Sequence, residues 1–249
     1  MLKEERFEYI LNGLKASNKV LFEELSKDLN VSEDTIRRDI EILHKSGLLV
    51  KVRGGAINPN KNPLSFSDRA ELYSESKSII ALKAQQLLQG VNTVFMDGGT
   101  TMLEVAARMP IDARFRIITN NIALIPALAA HKGIEIIVLG GRYNRLTQTN
   151  VGAQTCAEAR KYQADLYLLG TCAIDSKIGI TASVEEEGEV KTAFMESAFK
   201  TAVLSTHEKL ETVDFYRVAP ITKIDTLITD LLSNDPKLDI YRGFGLEML

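Results

Sequence analysis

After residue 77, short β-type runs alternate with helical stretches, and this order restricts the fold more than any other feature of the chain. The runs are 91–96, 115–119, 134–139, 165–170, 201–205 and 225–229; stretches 101–109, 121–131, 152–162 and 186–199 between them have helical spacing. Pro126 makes the 121–131 stretch the weakest helix, because proline removes a donor and crowds the preceding turn. Strands separated by helices cannot close as hairpins. They form βαβ units whose strands run parallel and are buried on both faces. The predicted class is therefore α/β with a mostly parallel sheet, and 45% hydrophobic residues in 249 suffice for its core.

A different pattern precedes Asn58-Pro59-Asn60-Lys61-Asn62-Pro63, whose prolines and asparagines break any helix or central strand. Phe7, Ile10, Leu11 and Leu14 share one helical face, and Leu21, Phe22, Leu25 and Leu29 share another in a helix predicted over 20–29. Asn30-Val31-Ser32 is a tight turn ending in an N-cap serine, with Glu33 and Asp34 suited to the following first turn. Ile36, Ile40 and Leu43 give the third apolar stripe, and Gly47 its left-handed stop. Residues 48–52 are extended, Arg53-Gly54-Gly55 turns, and Ala56-Ile57 returns. Three helices and a β-hairpin make a winged helix-turn-helix. The expected division is a small DNA-binding domain over 1–57, a linker over 58–77 and a ligand-binding α/β domain over 78–249.

With Ile36, Ile40 and Leu43 inward, helical geometry turns Arg38 and Thr35 outward and puts Arg37 on the flank. An outward arginine near the start of a recognition helix can meet guanine O6 and N7 bidentately, while a flanking one suits phosphate. Lys51 and Arg53 place cations on the wing. Ser32, Thr35, Arg37, Arg38, Lys51 and Arg53 are thus the candidate contacts to double-stranded DNA. A plain solvated helix face is the alternative, with Arg38 paired to Asp34 and Arg37 to Glu41 at helical spacing. Charge does not decide: the chain carries −3, and residues 1–60 hold ten basic and ten acidic side chains.

In the second half, Asp97-Gly98-Gly99-Thr100-Thr101 leads from a strand straight into a helix. Backbone N–H groups can converge there on an anion, with threonine hydroxyls adding donors. Asp97 repels a phosphate and suits a sugar hydroxyl or the turn itself. Asn120 and Gly140 end two further strands in polar loops, where open α/β sheets bind ligands.

The stretch VSEDTIRRDIEILHKSGLLVKVRGGA resembles the signature of DeoR-type bacterial transcriptional regulators. The resemblance continues through FMDGGTT, ITNN, VLGGR, ADLYLLGTCAID, GIT, EVK and LSTHEKL…LITD, so it spans essentially the whole chain. It implies a sensor domain similar to ribose-5-phosphate isomerase A and a repressor of a carbohydrate-utilisation operon, relieved by a phosphorylated sugar or related metabolite. On matching positions, Gly98, Gly99, Thr100 and Thr101 would hold phosphate, Asp97, Asn120 and Gly140 would touch the sugar, and Lys209 would supply a cation. Lys191 is a further candidate, with an i+4 pair to Glu187 as its alternative. Arg53 replaces the family's usual histidine, and His207-Glu208 precede Lys209 where the family often has paired serines.

The competing reading is a sugar-phosphate isomerase fused to a DNA-binding module. It is weakened by a single glycine in Glu185-Glu186-Glu187-Gly188-Glu189-Val190-Lys191, where related isomerases are glycine-rich beside their base. Without a catalytic constellation, the expectation is no enzyme, no cofactor and no metal. Two cysteines, no apolar run of membrane length and no apolar leader suggest a cytoplasmic protein with no membrane partner. One recognition helix covers only a half-site, so a homo-oligomer (dimer or tetramer) is expected, through a helix over 66–88 or an exposed sheet edge.

Overall fold

A computed structural model describes residues 2–17, 19–45, 48–57 and 66–249. The chain forms two compact units, Met1–Leu72 and Tyr73–Leu249.

In the first unit, α1 (Lys3–Ser17) leads to β1 (Lys19–Leu21), α2 (Phe22–Leu29), α3 (Glu33–Lys45), β2 (Val50–Val52), β3 (Gly55–Ile57) and α4 (Phe66–Glu71). Ile10, Leu14, Phe22, Leu25, Leu29, Ile36, Ile40 and Leu43 meet in one core, so the three apolar stripes converge as their spacing predicts. The expected helix over 20–29 is two residues shorter. Val20 and Leu21 instead pair with Ala56 and Gly55 in an antiparallel sheet of order β1-β3-β2, and Phe22 N–H donates to the Gly54 carbonyl at 2.8 Å. Both wing glycines have reasons to be glycine. Gly54 has φ +84°, and a Cβ on Gly55 would lie 2.0 Å from the Val20 carbonyl oxygen. Asn30 ends α2 in the left-handed conformation, and the Thr35 N–H reaches the Ser32 hydroxyl at 3.3 Å, the expected N-cap. The stop assigned to Gly47, and residues 58–65 of the expected linker, lie outside the described residues.

The single helix expected over 66–88 is interrupted. α4 ends at Glu71, Tyr73 takes φ +54°, and α5 (Ser74–Ala84) starts anew before a 3-10 turn at Gln85–Leu88. The second unit continues with β4 (Thr93–Met96), α6 (Thr100–Ala107), β5 (Arg116–Thr119), α7 (Ile125–Leu128), β6 (Glu135–Val138), β7 (Arg142–Asn144), β8 (Thr149–Val151) and α8 (Ala153–Ala159). β9 (Ala164–Gly170), β10 (Ala173–Asp175), β11 (Gly179–Ala182), α9 (Glu185–Glu196), β12 (Ala198–Leu204), β13 (Tyr216–Ala219), β14 (Thr226–Ile228), α10 (Asp239–Arg242) and β15 (Glu247–Met248) complete it.

Seven strands form an all-parallel sheet of order β15-β14-β12-β9-β4-β5-β6. Six of them are the six runs read from the sequence. Alternate residues serve opposite faces: Val94, Met96, Leu166, Leu168, Ala202 and Leu204 join one core, and Phe95, Tyr167, Leu169 and Val203 the other. The 121–131 stretch is corrected to a 3-10 turn at Ile122–Leu124 followed by the four-residue α7, with Pro126 in its first turn, where a missing N–H costs nothing. α9 stops at Glu196, and Phe199, expected to be helical, lies in β12.

Candidate functional sites

On α3 the inward face is fully buried and Arg38 is exposed on the other side. Neither alternative pairing forms as expected. Arg37 bonds Glu33 at 3.1 Å and lies over the Phe22 ring, 4.8 Å from its centroid, and Glu41 holds Lys51 of β2 at 2.7 Å. Arg37, Arg38 and Lys51 line one open groove with Asp34, Glu41 and Ile42. Thr35 is half-buried, its hydroxyl 2.9 Å from that of Ser32, and Arg53 is exposed in the wing turn. The sequence reading missed Asp39. It is buried beside the inward stripe and takes both Arg6 Nε (2.6 Å) and Nη2 (3.2 Å), tying α1 to α3. No local spacing signals a pair 33 residues apart.

In the sheet of the second unit, successive connections run outward one way from β4 through β5 to β6. Through β9, β12 and β14 they run the other way. The carboxyl ends of β4 and β9 are therefore the point where strand order reverses, the place such sheets hold ligands. Asp97 follows β4 there and is buried. Its carboxylate accepts the Tyr167 hydroxyl at 2.6 Å, the Gly170 N–H at 2.8 Å and the Lys191 ammonium. Lys191, also buried, donates further to the Gly170 carbonyl at 2.7 Å. Its partner is thus Asp97 rather than Glu187. Burial pushes the Asp97 carboxyl up, against the pull of Lys191, Tyr167 and Gly170. Burial works against the Lys191 ammonium too, but the Asp97 carboxylate offsets it and Lys191 remains raised. Burial and Asp97 together push the Tyr167 hydroxyl far up.

Gly98 and Gly99 connect this pair to α6. A Cβ on Gly98 would meet Thr149 Cγ2 at 2.7 Å, and Gly99, the N-cap, has φ +121°. Thr100 and Thr101 open the helix and are buried; the first N–H groups of a helix have no acceptor within the helix itself. Asn121 Nδ2 reaches the Asp97 carbonyl at 3.1 Å. Asn120 donates through Nδ2 to the Asn150 carbonyl at 2.8 Å, while its Oδ1 is buried with no hydrogen-bond partner among the described residues. Asn150, which the sequence reading did not single out, donates through Nδ2 to Leu139 O at 2.7 Å and joins the Asn120 and Gly140 loops. Gly140 itself is occupied: its N–H goes to Glu158 at 2.7 Å and its carbonyl accepts the Thr155 hydroxyl at 2.7 Å. Lys209 Nζ donates to the carbonyl of Thr171, just beyond β9, at 2.7 Å.

A winged helix-turn-helix joined to an α/β domain with a polar loop cluster at its switch point is the architecture of a ligand-responsive transcriptional regulator. Comparison with known proteins narrows this. Residues 6–62 match the DeoR-like helix-turn-helix domain and residues 73–231 the DeoR C terminal sensor domain. The HTH-type transcriptional repressor GlcR of Bacillus subtilis is 35% identical over 252 residues, covering 100% of this chain and 96% of that protein. The putative aga operon transcriptional repressor of Escherichia coli O157:H7 is 29% identical, covering 98% of this chain and 93% of its own. The glycerol-3-phosphate regulon repressor of Haemophilus influenzae is 29% identical, covering 90% and 88%. The chain belongs to the DeoR family of transcriptional regulators; it is a regulator and not an enzyme. Among solved structures, ribose 5-phosphate isomerase A of Neisseria gonorrhoeae is similar at 12% identity and a TM-score of 0.39, covering 54% of this chain and 52% of that one. Among the described residues, no helix is long and apolar enough to cross a membrane.

Proposed function

We propose that the chain represses a carbohydrate-utilisation operon and that a phosphorylated sugar or related metabolite, bound at the β4–β9 switch point, relieves repression. The observation that carries this reading is the Gly98-Gly99 turn into α6, beside the neutral Asp97–Lys191 pair. Phosphate accepts the first N–H groups of α6 and the Thr100 and Thr101 hydroxyls, with Lys209 as cation; Asp97 and Asn120 serve the sugar side. The names of the relatives support it, one of them being called a glycerol-3-phosphate regulon repressor. Lys191 acts through Asp97, since its ammonium is already committed, and Gly140 shapes its loop through Glu158 and Thr155. On the DNA side, Arg38 reads a base edge, and Arg37, Lys51, Arg53, Ser32 and Thr35 hold the backbone around it.

Calorimetry with a panel of sugar phosphates and their parent sugars tests the sensor. A phosphorylated compound should bind, and its parent should bind more weakly by about 3–6 kcal/mol, the worth of two charge-assisted bonds at about 1.5–3 kcal/mol each. Thr100→Ala and Lys209→Ala should each weaken the phosphorylated compound. A parent sugar that binds as tightly, or variants that bind normally, would remove the phosphate loop.

A single α3 meets too few base pairs for a unique genomic site, so the working form is a symmetric dimer or tetramer of this chain. Light scattering at micromolar concentration should show it; a monomer both with and without operator DNA would contradict it.

A further inference from the structure

Glu187, in the first turn of α9, is a carboxylate that the phosphate-loop reading leaves without a task. Its Oε1 accepts the Thr149 hydroxyl at 3.2 Å, and that hydroxyl is 2.8 Å from the hydroxyl of Thr147. Both threonines are buried, so the little chain has a fixed direction that ends on the carboxylate. The same Oε1 lies 3.6 Å from where a Cβ on Gly98 would stand. That separation puts the carboxylate in van der Waals reach of the Gly98 backbone, while the close contact that keeps position 98 a glycine is Thr149 Cγ2 at 2.7 Å. Glu187 is only half-buried, and among the described residues its Oε2 accepts no hydrogen bond.

Charge balance makes this placement selective. Lys191 is bonded to Asp97, so that pair is neutral, and Glu187 leaves one negative charge beside Gly98. A phosphate held at Thr100 and Thr101 is favoured at the helix start, but a second anionic group nearer Gly98 meets a fixed like charge. Hydroxyl groups there find an acceptor instead.

Resting on the phosphate-loop reading, we infer that Glu187 is a specificity-determining residue. It orients the effector with its phosphate at α6 and its hydroxyl-bearing carbons toward Gly98, and it excludes phosphorylated sugar acids. The effector class is then a monophosphorylated, otherwise uncharged polyhydroxy compound.

The test measures calorimetric affinities for matched pairs: glucose 6-phosphate with 6-phosphogluconate, ribose 5-phosphate with 5-phosphoribonate, and glyceraldehyde 3-phosphate with 3-phosphoglycerate. The uncharged-sugar member of at least one pair should bind about tenfold or more tighter than its acid, the usual size of one unfavourable charge contact. Glu187→Gln keeps the acceptor and removes the charge, so the ratio should shrink to about threefold or less; Glu187→Asp should preserve it. A merely structural role would change thermal unfolding and weaken both members alike, leaving the ratio intact. An acid that binds wild type as well as its sugar, or an unchanged ratio in Glu187→Gln, overturns the inference while leaving the phosphate loop standing. If no phosphorylated member of any pair binds wild type, the phosphate-loop reading fails, and this inference with it.

Discussion

Arg38→Ala should cost about 1–3 kcal/mol at the specific operator, or roughly 5- to 150-fold in affinity, and relax the preference at one base pair. The expectation rests on where α3 puts the side chain: exposed, opposite Ile36, Ile40 and Leu43, beside Arg37 and Lys51 in one groove. Arg37 is differently placed. Stacked on Phe22 and bonded to Glu33, it sits at the flank, so Arg37→Ala should weaken all DNA similarly and flatten the salt dependence. Binding titrations on operator and scrambled duplexes at several salt concentrations separate the two roles. Equal loss on both duplexes for Arg38→Ala would remove its base-reading role.

Lys191→Met should destabilise the protein by about 3–5 kcal/mol, because it strands the Asp97 carboxylate in the interior with only Tyr167 and Gly170 as donors. The double variant Asp97→Asn with Lys191→Met should recover much of that loss, since no buried charge remains. The pH dependence has a fixed sign. Burial raises the folded Asp97 carboxyl above its unfolded value, and removing Lys191 raises it further. The folded state then holds a proton that the unfolded state releases, so the deficit is absent at acid pH. It grows as pH climbs from about 4, where an unfolded aspartate ionises, to the folded value. Urea unfolding of the three proteins between acid and neutral pH measures this. Wild-type stability for Lys191→Met at neutral pH would mean the pair does not hold the switch point together.

The strand runs of the sheet interior were legible because a parallel strand buried on both faces is apolar along most of its length, as in residues 166–169; β6, at the sheet edge, is exposed at Glu135 and Val138. The hairpin of β7 and β8 was not legible. Arg142-Tyr143-Asn144 and Thr149-Asn150-Val151 are short and polar, and what fixes them is Asn150 bridging two loops far apart in sequence. β1 was hidden for a related reason: Val20 and Leu21 fit a helical stripe equally well, and only pairing with β3 draws them out. At the sensor site the sequence marked Asp97, the glycine pair and the threonines through their place between strand and helix. It could not show that Lys191, 94 residues on, neutralises Asp97. A buried pair so far apart leaves no periodic trace, whereas its i+4 alternative with Glu187 does. Nothing local to the 165–170 run shows that the Tyr167 hydroxyl is spent on Asp97.

The central claim is that one ligand at the α6 loop controls DNA binding by the same chain, which requires unequal ligand affinity for the arrangements that do and do not fit the operator. Fluorescence anisotropy of the full chain on a duplex selected from a random-sequence library, with and without the phosphorylated compound found by calorimetry, measures that coupling directly. Operator affinity should change by about tenfold or more at saturating ligand, a coupling of ordinary size, and the change should be lost in Thr100→Ala. An operator affinity that stays constant while the ligand is demonstrably bound would contradict the account.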